Sequence, residues 1–210
     1  MKKNKSKLIV VEGNDGAGKS TLIKYVSKIL KSKGYLVLVV RFNMSYITLY
    51  SIKEGKKRKY TCNINSLLHF TSILDQLERF IYKYMDKGYI IVFDRYIYSI
   101  ISRGRIRGLD KNLETCFLDM LPVPDICIYL DICPEDALKR LGDDISYWEA
   151  GLDIYKDLDV FQSFLKFQEQ TRVELKEMIF LSKKVIILDS LQPLKIKVNK
   201  VINLILTEIL

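Results

Sequence analysis

The sequence predicts an α/β fold: a three-layer α/β/α sandwich, with helices on both faces of a five-stranded parallel sheet. Two observations predict it. Short apolar runs rich in valine and isoleucine recur along the chain, and they are nearly continuous rather than alternating, as strands covered on both faces require. Between them lie longer stretches of helical periodicity, the alternation that βαβ units produce.

The strands follow in order as "KLIVVE" (7–12), "YLVLVV" (35–40), "YIIVFD" (89–94), "DICIYLDI" (125–132) and "KVIILD" (184–189). A helix is predicted over 19–33, stopped by Gly34, and a long one over 64–87, stopped by Gly88. Pro134 suits a first helical turn, where its missing N–H has no partner to lose, and that helix runs over 135–141 to Gly142. The last two helices are predicted over 157–181 and 194–209. The stretch 142–157 fits neither period, and a mobile lid and an irregular structural loop remain equal readings of it.

With 210 residues, 49% hydrophobic and 28% charged, and only four prolines, the chain reads as a single domain, 1–210, with order lacking only in its lysine-rich start. The four cysteines form no Cys-x-x-Cys pair, and the run Leu8–Val11 is too short for a signal or a membrane span. A cytoplasmic protein without a membrane partner is expected. The net charge of +9 suits an acidic partner. The densest basic cluster, "KEGKKRK" (53–59), reads as a solvated loop before it reads as a binding patch, so nucleic acid is an unlikely partner.

Residues 13–20, "GNDGAGKS", match G-x-x-x-x-G-K-[ST] and sit where a buried strand gives way to a helix. Gly13, Gly16 and Gly18 let the backbone amides of Asn14, Ala17 and their neighbours curl around phosphate oxygens. Lys19 reaches the outer phosphates, Ser20 ligates Mg²⁺, and Thr21 continues the helix whose N-terminus favours the anion. ATP and Mg²⁺ are therefore expected. At the end of the third strand, Asp94 can hold the metal or orient the attacking oxygen, and Arg95 can clamp a phosphate; a strand-end salt bridge is the alternative.

Together, "VVEGNDGAGKST", "FDRYIYS", "PDICIYLD", "ALKRL", "EAGLD" and "FQSFLKFQEQTRVEL" resemble the thymidylate kinases among the P-loop nucleoside monophosphate kinases, over nearly the whole chain. The resemblance implies the P-loop NTPase fold with a lid at about 142–157. It also implies Mg²⁺-dependent transfer of the terminal phosphoryl group of ATP onto a nucleoside monophosphate, dTMP foremost. It places Lys19, Asp94 and Arg95 in catalysis, Ser20 and Asp94 on the metal, and Arg140 against the adenine. Asp15 falls to the acceptor sugar, Phe70 to stacking on the base, and Arg95 with Ser99 to the acceptor side. It further implies a homodimer through the face Ile64–Ile81.

Three positions depart from the family pattern. Leu74 replaces the arginine that reads the thymine carbonyl four residues after the stacking ring, and the spacing from Phe70 to Gly88 agrees with the family. Ser45 replaces the acceptor-phosphate arginine. Arg103, Arg105 and Arg107 stand in "SRGRIRG", either as substitute phosphate ligands, Arg103 foremost, or as a solvated helix end. The stretch 142–157 holds no arginine, which leaves Arg140 or one of 103–107 to neutralise transition-state charge. Glu12 and Glu149 read as functional acids or caps, and His69 as packing or surface. A related kinase with another acceptor and a nucleic-acid-binding P-loop protein are the rival functions.

Overall fold

The five apolar runs form strands β1 (Lys7–Gly13), β2 (Val37–Arg41), β3 (Ile90–Asp94), β4 (Ile126–Asp131) and β5 (Val185–Asp189), paired in parallel in the order β2-β3-β1-β4-β5. The structure, a computed structural model, describes residues 5–42 and 44–209, so the lysine-rich start at 1–4 lies outside the described residues. Successive β1 side chains point to opposite faces and divide the core. Leu8 and Val10 join the cluster of Phe93, Tyr96, Phe117 and Tyr129, while Ile9 and Val11 join Leu22, Ile128, Phe164 and Val201. Both faces of the sheet are covered, as the continuous apolar runs require.

Helices α1 (Lys19–Ser32), α2 (Tyr46–Lys57), α3 (Cys62–Gln76), α4 (Ile97–Ile106), α5 (Lys111–Met120), α6 (Pro134–Leu141), α7 (Tyr147–Ala150), α8 (Val160–Met178) and α9 (Leu194–Ile209) supply the outer layers. Four of them were given no range from the sequence: α2, α4, α5 and α7. The basic cluster expected as a loop is largely the end of α2. The N-terminus of α5 is capped by Asp110, which accepts from Asn112 N and Leu113 N at 2.8 and 3.2 Å.

The long helix predicted over 64–87 is interrupted and ends early, since 82–88 are turns. α3 passes into a π turn, Leu77–Ile81, closed by a bond from Tyr82 N to Leu77 O, five residues back, at 3.0 Å. Such a turn holds one residue more than an α turn, so it shifts the register of everything before it. The outward face expected over Ile64–Ile81 is also divided: Ile73, Leu77 and Ile81 lie in the core, while Ile64 and Leu67 stay exposed. No helix among the described residues is long and apolar enough to cross a membrane.

Candidate active site

β1 delivers the glycine loop to the sheet edge. Gly13 has φ +143, and a Cβ there would come within 2.5 Å of Leu130 O on β4. Gly18, at φ +85, sits in open space at the start of α1, where glycine is needed for the left-handed backbone and not for room. Lys19 is buried under the loop and donates to Asn14 O at 2.7 Å. Burial, and then Arg95, pushes the Lys19 ammonium down to about 7 against the pull of Asp15, Asp94 and Glu12. Asn14 turns its side chain away from the loop cradle and donates to Gln168 O at 2.6 Å.

Pairing of Val11 with Asp94 sets the end of β3 beside the start of the loop. Ser20 Oγ donates to Asp94 Oδ2 at 2.8 Å, an all-oxygen pair of the kind a hard cation accepts. The chain then turns sharply: Arg95 has φ +69, a conformation few non-glycine residues adopt outside constrained sites. The turn aims its guanidinium back at Gly13 O (3.0 Å), Ser99 Oγ (3.1 Å) and Asp15. Glu12, fully buried, resolves as a capping acid. It accepts from Tyr96 N (2.8 Å), Ser99 N (3.3 Å) and Ser99 Oγ (2.6 Å), tying the start of α4 to β1. Burial raises the pKa of its carboxyl.

Asp15 is the hub of the site. It pairs with Arg95, with Arg103 at 2.5 Å, and with Gln168 Nε2 at 3.2 Å. Burial acts to raise its pKa, but Arg103, Arg95 and Lys19 together hold the carboxyl well below the usual carboxylate range. Arg140 is taken up behind the loop: it donates to Gly16 O at 3.1 Å and to Ser190 Oγ at 2.8 Å, and Ser190 Oγ in turn donates to Ala17 O at 2.6 Å. Thr21 is exposed on α1.

Beyond Asp15 opens a cavity of about 660 Å³, walled by α2, α3, α4 and the stretch 142–157. Arg103 and Arg107, four residues apart, share the face of α4 that looks into it. Arg105 lies on the other side and is held by Glu114 at 2.5 Å and Glu174 at 2.9 Å, so it is a structural ion-pair residue. Arg107 fastens the stretch 142–157 to the cavity through Asp153 (2.7 Å) and Trp148 O (3.1 Å), and its guanidinium lies 4.4 Å from the Phe167 ring centroid. Glu149 proves to be a cap: Ser146 N and Oγ donate to it at 3.0 and 2.6 Å.

Phe70 is not brought to the cavity. It is buried in the core and stacked on Phe117 at 4.2 Å. His69 lines the cavity in its place, stacked on Phe42 at 5.4 Å with 13° between the rings. The segment does not keep α-helical phase between Gly88 and the ring: 82–88 are turns, and the π turn over Leu77–Ile81 takes up one extra residue, a step of about 100°. Burial, with Lys56, Arg103 and Arg107, pushes His69 down to about 3. Four residues after His69 stands Ile73, also in the core, so neither register supplies a base-reading arginine. Ser45 is fully buried at the start of α2, and its Oγ has no partner among the described residues.

Sequence reasoning missed Phe42, Lys56 and Gln168. Gln168 had a signal: with Thr171 it breaks the buried stripe of Phe164, Phe167 and Leu175 on α8. Its Nε2 links Asp15 to Glu149 O, the latter at 2.9 Å.

Comparison with known proteins agrees with this geometry. The sequence profile described as thymidylate kinase matches residues 11–201. "Probable thymidylate kinase 2" of Saccharolobus solfataricus is 30% identical over 167 residues, covering 78% of this chain and 78% of the relative. "Probable thymidylate kinase" of Archaeoglobus fulgidus is 36% identical over 146 residues (64% and 68%), and "Thymidylate kinase" of Caldicellulosiruptor saccharolyticus is 35% identical over 145 residues (65% and 70%). With a glycine loop of this geometry at the edge of a parallel sheet, and a profile match over most of its length, the chain belongs to the thymidylate kinase family.

Proposed function

We propose that the protein transfers the terminal phosphoryl group of ATP to the 5′-phosphate of dTMP, giving ADP and dTDP. The observation that carries this reading is the 2.8 Å pair of Ser20 and Asp94 beside Lys19, opening onto the basic cavity around Asp15. The loop amides and Lys19 hold the donor phosphates, and Ser20 with Asp94 offers oxygens to Mg²⁺. Mg²⁺ held by Ser20 and Asp94 would supply positive charge against the phosphate oxygens.

Arg95 and Arg103 hold the acceptor phosphate, and Asp15, kept ionised between them, accepts from the sugar hydroxyl. The acceptor base lies against His69 and Phe42. The stretch 142–157 acts as a lid, latched by Arg107 and Asp153, that excludes water from the reacting phosphates. Lys19 and Arg95 supply the charge that a lid arginine would bring. Arg140 supports the loop from behind and faces the donor nucleotide rather than the transferring group.

A coupled ADP-release assay across dTMP, dUMP, dGMP and dCMP tests the reading. Turnover is expected with dTMP ahead of the others. No turnover with any of them, together with salt-sensitive oligonucleotide binding, would reject it. The four free cysteines, Cys116 among them exposed, support a reducing cytoplasm. A homodimer through α2 and α3 is supported by the exposed Tyr46, Ile47, Tyr50, Ile64 and Leu67, and light scattering that gives a monomer mass would exclude it.

A further inference from the structure

Lys56 is the cavity cation that the proposed chemistry leaves unused. Arg95 and Arg103 share Asp15, Arg107 holds Asp153, and Lys59 and Lys156 are exposed. Lys56 is only partly exposed and, among the described residues, makes no ion pair or hydrogen bond. The acids that act on it are engaged elsewhere, Glu149 with Ser146 and Asp15 with its two arginines. An ammonium with reduced hydration and no protein acceptor is costly until a ligand oxygen meets it.

Its place in the fold says which part of a ligand that is. Gly55 packs so closely on α3 that a Cβ would lie 2.8 Å from Asn65 Oδ1 and 3.1 Å from Leu68 Cδ1, which sets Lys56 beside the turn carrying His69. His69 in turn responds to Lys56 ahead of either Arg103 or Arg107. The lysine therefore stands on the α2–α3 side of the cavity with the Phe42–His69 stack, within electrostatic reach of Arg103 as well, whereas Arg95 marks the phosphate end beside the loop. The α3 positions four residues after His69 and Phe70 are Ile73 and Leu74, aliphatic and packed in or against the core, while the cavity-lining residues of α3, Cys62, Asn65, Ser66 and His69, carry no cationic donor.

We propose that Lys56 reads the acceptor base, donating to a ring carbonyl oxygen of a pyrimidine held against Phe42 and His69. This rests on the thymidylate reading above. The charged donor comes from α2 instead of α3, and it favours a keto oxygen over the amino group that cytosine carries at the same position, because two donors facing each other leave both unpaired.

Binding of dTMP, thymidine and dCMP to Lys56→Met and Lys56→Arg tests the proposal. Lys56→Met is expected to weaken dTMP and thymidine by the same factor, about tenfold or more, and to leave dCMP unweakened or bound more tightly, since the opposed donor is gone. Lys56→Arg is expected to keep the preference for dTMP. Loss of dTMP binding with thymidine unaffected would assign Lys56 to the phosphate and overturn the proposal, and so would an equal loss for all three ligands. If the wild type turns over no dTMP, the function reading itself fails; if it does and Lys56→Met matches it, only the Lys56 assignment fails.

Discussion

The glycine loop and the cavity next to it open on the same sheet edge but are encoded differently. The loop comes from consecutive residues, 13–20, and its demands are on the backbone: positive φ at Gly13, Gly16 and Gly18, and a lysine buried beneath. The cavity draws its walls from positions as distant as Phe42, His69, Arg103 and Trp148, and all but Phe42 reach it only if their own helix has the right rotation. A motif that fixes backbone conformation survives being read one residue at a time. A cavity made of helix faces does not, because an error of one residue turns a side chain through about 100°.

Five variants break or sharpen this contrast. The largest effect is expected on the cavity side, where the two neighbouring rings should separate cleanly. Phe70→Ala should cost about 3–5 kcal/mol of stability in a denaturant melt while leaving the acceptor KM of the folded enzyme unchanged. His69→Ala should raise that KM about tenfold with little loss of stability. The reverse pattern would mean that the π turn does not set the register.

On the loop side, Lys19→Ala should lower kcat by about 10²- to 10³-fold, measured as ADP release, with the melt little changed. Wild-type turnover in this variant would remove the phosphate-loop reading. Where the two regions meet, Asp15→Asn should destabilise by about 3 kcal/mol, since it leaves two arginines facing a neutral amide. The pH dependence has a definite sign. The folded carboxyl is held below its ordinary 3.8, so the stability that Asp15 contributes is complete above that pH and is lost as pH falls toward the folded value. An acid titration of Asp15→Asn should lack that part of the decline. The smallest effect is expected for Arg105→Ala, at most about 1 kcal/mol of stability and no change in acceptor KM, since its partners lie outside the cavity.

The sheet was legible because each strand is a continuous apolar run, and α1 and α6 because glycine or proline marks their ends. Other parts of the fold had weaker marks. α2 holds Gly55 and begins at Ser45, whose hydroxyl caps nothing, so neither its start nor its interior stands out. α4 owes its capping to Glu12, which lies 84 positions from Tyr96 and so leaves no local trace. In the candidate site, Asp15, Lys19, Ser20, Asp94 and Arg95 were readable because loop and strand end are adjacent motifs on paired strands. The base side was not. Gly88 overshoots the end of the helix, which stops at Ile81 before the turns of 82–88, and nothing in "LDQLERFIYKY" announces that one turn is wider than the rest.

That wide turn makes the segment Leu77–Ile81 a lever on what the enzyme accepts. Deleting a single residue there would restore uniform α geometry and leave Cys62–Gln76 in place, because the π turn only takes up the extra residue. Substitutions that let the segment close as α turns at unchanged length would instead rotate Cys62–Gln76 by about 100°, swinging Phe70 toward the ligand and His69 toward Phe117. A change far from any contacting residue would then exchange a polar ring for an apolar one on the binding surface, so acceptor preference can drift through a segment that touches no ligand.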